Sequence, residues 1–321
     1  MQSSFPLLSL PTLALDEVLK SMKISSLLKL TNVCPTIKRY VPRLRISSGG
    51  YDVRLGKDVS IINLHAHGWG TYSRATDVRG HSMKLALDCM NYMTSLFTGR
   101  VKRLEVCLSL LGYPISDVTD VLSIGKSRRA NSNTSEEAFV DVSEEAVNAL
   151  LNNVDIKRGL LLSGPKQLRS EHKKVFSVDW LKIYHANWVT MDILKKMQNK
   201  VIFLENVELT AGQVNEYIKD LRDGRVNPNL QVIIFTKNWR EEDIRRVLEG
   251  LDFVRNQERQ IYNFPEQNPL LNEFLFHGSA ANGLPFNDSA DFLRKDGVRC
   301  SVSFGIAVVF VLVWNQEEGS R

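Results

Sequence analysis

Between residues 179 and 251 the chain alternates short apolar runs with helical patterns, which restricts its possible folds more than any other feature. Leu181/Ile183, Val201/Phe203 and Val232/Ile234 read as short buried strands, each followed by a helix predicted to begin near Thr190, Thr210 and Arg240. Strands joined through helices cannot pair as tight hairpins, so the pattern predicts a parallel sheet backed by helices. Leu194, Val214 and Ile244 take equivalent helix positions, 20 and then 30 residues apart. The polar connector Asp220–Asn229, with Gly224 and Pro228, fills the difference. An interval of this size suits an irregular leucine-rich-repeat-like stack. The L-x-x-L-x-L signature is absent, so a plain α/β layer is the alternative. Thr210 with Gln213, and Ser143 ahead of Glu144–Leu151, supply helix N-caps.

The flanks have a different texture. Tyr51–Leu55 and Val59–Leu64 bracket Gly56-Lys57-Asp58 as a hairpin, and Val101–Leu108 reads as a strand. Met83–Phe97 carries helical periodicity, Gly68–Gly80 is polar and unassigned, and Lys126–Glu137 is a polar loop. Near the end, Asp291–Lys295 and Val298–Phe304 form a hairpin around Asp296-Gly297. The run Ile306–Trp314 reads as a further buried strand, since a bilayer-spanning helix needs about 20 apolar residues.

At the start of the chain, Leu15, Val18, Leu19 and Met22 fall at i, i+3, i+4, i+7 on one helical stripe. Pro11 precedes this helix with a fixed φ. Ser25 or Ser26 is positioned to cap a second helix bearing Leu27, Leu28 and Leu30, and Pro35 opens a third that Pro42 closes. Three short helices in about forty residues expose more apolar side chain than so small a core hides, which points to a partner surface. Packing of these helices on the rest of the chain is the alternative.

The stretch FPLLSLPTLALDEVLKSMKISSLLKLTNVCPTIKRYV resembles an F-box, through Leu10-Pro11, the Leu15/Val18/Leu19/Met22 stripe, Leu27-Leu28 and Val33-Cys34. Its opening is similar to nematode-type F-box proteins, which carry a type 2 F-box-associated domain downstream. NPNLQ, RRVLEGL and the closing RKDG segment resemble that domain over about residues 180–315. The resemblance implies an α+β protein with a three-helix F-box over 1–46, an associated substrate-recognition domain over 51–315 (strand-helix units 179–251) and a tail 316–321. It further implies a Skp-type adaptor, and through it a cullin, as partners of a ubiquitin ligase. Leu10, Pro11, Leu15, Val18, Leu19, Leu27 and Leu28 are the expected adaptor contacts, with Met22, Leu30, Val33 and Ile37 inside the core. A protein substrate would bind the second domain, and Trp188, Trp239 and Arg240 are its candidate contacts because Trp and Arg dominate binding hot spots. Core packing is the competing reading for each Trp.

Composition and motifs argue against catalysis. The 41 basic and 36 acidic residues are mixed along the chain and give a net charge of +5, without the clustering of a nucleic-acid footprint. Lys126, Arg128 and Arg129 form the one short basic group considered for that role. The four cysteines lack paired spacing, which favours reduced thiols in the cytoplasm or nucleus. No signal peptide or membrane segment is expected. His65, His67 and His81 lack further ligands at metal spacing, so solvated or locally bonded histidines are the preferred reading. There is no Walker loop, dinucleotide fingerprint, nucleophile elbow or RING pattern, and no cofactor is expected. A degenerate α/β enzyme or ligand-binding domain behind an interaction helix bundle is the alternative function.

Overall fold

The structure, a computed structural model, describes residues 7–46, 48–56, 59–66, 70–77, 88, 91–92, 94–111, 115, 117–125, 142–164, 168–263, 271, 284–286, 288–305 and 307–314. They fall into two compact units, one of residues 1–110 with 117–120, the other of 111–116 with 121–321. Among the described residues no helix is long and apolar enough to cross a membrane.

The first unit opens with α1 (Thr12–Ser21), α2 (Ile24–Val33) and α3 (Pro35–Tyr40). Pro11 sits at the N-cap of α1, and Pro35 occupies the first turn of α3. Neither Ser25 nor Ser26 caps α2. The amides of Ser26 and Leu27 both donate to the Lys23 carbonyl, so the helix has already begun when the serines are reached. Nor does Pro42 close the third helix, because Val41–Leu44 continues as a 3₁₀ turn that Arg45, at φ 47°, terminates. Leu15, Leu19, Leu27, Leu28, Ile37 and Val41 are buried, a core in which each large aliphatic side chain contributes about 1.5–3 kcal/mol. Tyr40 donates to Asp16 at 2.5 Å and ties α3 to α1.

Beside the helices lie β1 (Gly50–Leu55), β2 (Val59–Ala66), β3 (Gly70–Asp77) and β4 (Val101–Val106). β1 pairs antiparallel with β2, as the hairpin pattern predicts, and parallel with β4. The polar segment left unassigned contains β3, which pairs with β2 along eight positions. Asp88, Asn91, Tyr92 and residues 94–96 are helical, and the rest of the helix predicted over Met83–Phe97 lies outside the described residues apart from Phe97. The first unit holds both the helices and these strands, and Thr98 bonds back to the linker between them. Its amide donates to Ile46 O, and its carbonyl accepts from the Ser48 amide. Tyr92 donates to Thr31 on α2 at 2.8 Å, and Lys38 lies over its ring.

β5 (Asp117–Ile124) leads into the second unit, which continues with α4 (Glu144–Asn153), β6 (Val154–Leu162), α5 (Lys173–Ser177), β7 (Trp180–Ile183), α6 (Met191–Lys196) and β8 (Val201–Glu205). There follow α7 (Ala211–Arg222), β9 (Val232–Thr236), α8 (Glu241–Leu248), β10 (Val254–Asn256), β11 (Gln260–Tyr262), β12 (Leu284–Phe286), β13 (Ser289–Leu293), β14 (Arg299–Gly305) and β15 (Val308–Val313). Strands β6 to β9 are parallel neighbours in sequence order, with Trp180 opposite Val201 and Val201 opposite Val232. The predicted cap forms at Ser143, the predicted pair Thr210 and Gln213 closes a full capping box, and Thr190 caps α6.

The ladder does not continue as a repeat stack. β15 occupies the far edge of β9 in antiparallel fashion, followed by β14, β13 and β10, so the unit is a mixed α/β layer. Alternation along each strand produces two buried faces. One clusters Trp180, Val201, Val232, Ile234, Leu312 and Trp314 with Tyr262, Leu284 and Phe286 of the small β11–β12 sheet. On the other, Tyr217 of α7 meets Phe235 edge-on at 6.4 Å.

Candidate functional site

Among the described residues no group of three or more His, Cys, Asp or Glu is placed to hold a metal. His65 lies on β2, while His67 and His81 fall outside the described residues, as do Lys126, Arg128 and Arg129. Cys34 and Cys300 are free thiols, and desolvation pushes Cys300 up to about 12, far from a reactive thiolate. The candidate sites are surfaces of the two units.

On the first unit the seven residues expected to meet an adaptor divide by depth. Leu15, Leu19, Leu27 and Leu28 are buried inside the unit and hold the helices together. Pro11 and Val18 are exposed, and Leu10 is half-buried. Two apolar side chains that the periodicity did not single out join them at the surface, Leu8 and, at 81% exposure, Leu13. Leu13 is missed because it lies off the Leu15/Leu19 stripe. Val33, assigned to the core, is 77% exposed at the last residue of α2. Among the described residues of this region the exposed large apolar side chains are Leu8, Leu13, Val18 and Val33.

On the second unit the parallel register carries the ends of β7, β8 and β9 to one edge of the sheet. Asn206, after β8, donates its side-chain amide to Tyr184 O, and its backbone N–H donates to Thr236 at the end of β9. Trp188 ends the 3₁₀ turn after β7, and Trp239 with Arg240 follows β9, so all three stand at this edge. Both indoles are half-buried. The Trp239 ring N–H donates to Phe235 O, Lys237 lies 4.6 Å over the ring, and Arg240 is exposed at the start of α8. The Trp188 ring N–H is buried without a partner among the described residues. Trp180, by contrast, belongs to the core.

Elsewhere in the ladder, including the opposite ends of β8 and β9, the loops are held by side chains that hydropathy does not single out. Asn199 donates to Val175 O and Val178 O, Asn227 donates to Asn199 O, and Asn215 on α7 donates to Val247 O and Glu249 O at the end of α8. The recurrent Asn ahead of a strand, in QNKVIF and NPNLQVII, is the signal that could have revealed the first two. Asp220 joins Lys195 of α6 to Arg225. Burial raises its pKa, but those two bonds outweigh burial and hold the carboxyl below its ordinary range.

A second surface lies at β10. Arg222, Asp223, Leu251, Asp252, Phe253 and Val254, with Asp291, Phe292, Leu293 and Arg299, line an open concavity of about 980 Å³. Asp291 accepts from Arg299, Ser289 and Ser301, Ser301 accepts from the Trp314 ring N–H, and Arg299 stacks 4.6 Å from that ring. This closed polar network makes the floor of the concavity rigid.

Residues 171–241 match the model of a family described as F-box associated. The match spans β7, β8 and β9 with α5, α6 and α7, the same strand-helix ladder that presents Trp188, Trp239 and Arg240. No curated protein and no solved structure matches the chain.

Proposed function

We propose that this protein is a non-catalytic substrate-recognition adaptor of a Skp–cullin–F-box ubiquitin ligase, working in the cytoplasm or nucleus. The observation that carries this reading is the F-box-associated match over 171–241, which falls on the strand-helix ladder of the second unit. The three N-terminal helices support the other half of it. They bury Leu15, Leu19, Leu27 and Leu28 for their own stability yet leave Leu8, Leu13, Val18 and Val33 in water. Exposed apolar side chains on short helices suit insertion into a groove of a Skp-type adaptor. The second unit then holds a protein target, with Trp188, Trp239 and Arg240 among its contacts, and ligase chemistry is supplied by the partners.

Co-purification with a Skp-type adaptor tests the reading. The wild-type chain should retain the adaptor, and Leu13→Asp combined with Val18→Asp should weaken retention at least tenfold without changing the thermal melt. Equal retention by both forms, or none by the wild type, overturns it.

A further inference from the structure

Charge is mixed over the chain as a whole but not near its start. Residues 18–51 hold seven Lys and Arg and no Asp or Glu. Their +7 exceeds the +5 of the whole chain, so everything outside this stretch sums to −2. All seven cations are exposed. Four crowd onto one short run, with Lys38 and Arg39 in the last turn of α3, Arg43 in the 3₁₀ turn that continues it and Arg45 at its end. Arg39 and Arg43 stand four residues apart, a spacing at which like charges repel along a helix. Thr98 holds the following linker at Ile46, and the Lys102 side chain at the start of β4 lies against Gly50 and adds a fifth cation.

Carboxylates of the same helices do not offset this charge. Asp16 accepts the Tyr40 hydroxyl, where the charge of Arg43 is also felt, and Glu17 pairs with Lys20 on α1. Among the described residues Arg39, Arg43, Arg45 and Lys102 enter no ion pair, and Lys38 lies over the Tyr92 ring. Cations at a helix C-terminus favour the macrodipole, which accounts for Lys38 and Arg39 but not for Arg45, beyond the turn at φ 47°. The surroundings select the anion. A single-stranded nucleic acid needs open rings to stack on, whereas the Tyr40 hydroxyl is tied to Asp16 and the Tyr92 ring is covered by Lys38. Five cations also fall short of the roughly 6–10 phosphate contacts of a strong duplex binder. An anionic bilayer needs apolar side chains inserted beside the cations, and no exposed large apolar side chain falls within the described residues of 34–50.

We infer that this run is a docking surface for an extended acidic segment of a partner protein, whose Asp and Glu side chains lie against Lys38, Arg39, Arg43, Arg45 and Lys102. Exposed charge pairs are individually weak and screened by salt, so the surface acts through their number and speeds encounter more than it tightens any one contact. It uses none of the apolar anchors proposed to meet a Skp-type adaptor, and the inference stands without that reading.

The full chain is titrated by fluorescence anisotropy with two blocked decapeptides, one of glutamate and one of glutamine. The glutamate peptide should bind and the glutamine peptide should not, and raising salt from about 50 to about 300 mM should weaken binding at least tenfold. Arg39→Gln combined with Arg43→Gln should lower affinity for the glutamate peptide at least tenfold with an unchanged thermal melt. Arg245→Gln combined with Arg246→Gln, two cations also exposed on α8, should leave it unchanged. No binding of the glutamate peptide, or equal loss in both double variants, overturns the inference. A thymidylate decamer or phosphatidylserine vesicles that bind more tightly than the peptide, and lose affinity in the Arg39→Gln, Arg43→Gln variant, overturn it in favour of a nucleic acid or a membrane. Loss of adaptor retention in that variant places these cations within the adaptor surface and overturns a separate partner.

Discussion

Tyr217 is fully buried, and its hydroxyl has no hydrogen-bond partner among the described residues, so desolvation alone drives its pKa upward. A buried hydroxyl left unpaired costs about 1–3 kcal/mol, whereas phenylalanine keeps the edge contact with Phe235. Tyr217→Phe should therefore raise the unfolding free energy by about 1 kcal/mol in urea denaturation, and a loss of stability would mean that the hydroxyl is satisfied. His172 is the opposite case. Its ring accepts the Lys174 amide as the N-cap of α5 while its other nitrogen lies 2.9 Å from Asn152 Oδ1. Desolvation first, then the charges of Lys174 and Lys173, lower its pKa in the folded state. The neutral ring is thus the form the fold prefers. Its contribution is present above the unfolded value near 6.5 and is lost as pH falls through the lower folded value. Stability measured from pH 7 down to pH 5 should decline in the wild type, and His172→Asn, which keeps a capping acceptor, should flatten that decline.

Elements were legible wherever their signal is local. The strands β7, β8 and β9, their following helices, the Thr210 capping box and the β13–β14 hairpin all carry their pattern within a few residues, and each stands where periodicity placed it. β3 was not legible because its residues are polar and its existence depends on backbone pairing with β2 rather than on side-chain alternation. Periodicity also marks a face without giving its depth. Leu15, Val18 and Leu19 share one stripe, yet Leu15 and Leu19 are buried and Val18 is not. The asparagine links were invisible to hydropathy for a related reason, since a buried Asn looks like any polar loop residue until its partners are known. Asn199 joins the end of α5 to the start of β8, and Asn227 extends the link to the loop before β9. Asn199→Ala leaves two buried carbonyls unpaired and should cost about 2–3 kcal/mol, and Asn227→Ala about 1–2. Because Asn227 bonds the backbone carbonyl of Asn199, whose side chain makes the other two bonds, the double variant should lose measurably less than the two losses added together.

At the scale of the whole molecule the two units put different demands on the same residue type. In the first, leucines at neighbouring positions of α1 serve either the core or the surface, with Leu19 buried and Leu13 exposed. In the second, apolar exposure concentrates at Phe253, Val254 and Leu293, on a sheet edge that no sequence period could reveal because Leu251–Val254 and Phe292–Leu293 meet only through the β10–β13 pairing. The candidate surfaces were consequently half-legible. Trp239 and Arg240 do reach an accessible edge, while four of the seven expected adaptor contacts serve as core. This division governs how partner binding must be tested. A carboxylate forced into the position of Leu19 is buried without a counter-charge, and Leu19→Asp should cost about 4 kcal/mol or more and open the helices to protease. Any adaptor binding lost with it would report unfolding. Leu13→Asp places the same charge in water, so its protease resistance and melt should match the wild type, and a tenfold or greater loss of adaptor retention can only come from the surface itself. Wild-type protease resistance for Leu19→Asp would show instead that α1 packs less tightly than its buried side chains indicate, and that its stripe is open to a partner after all.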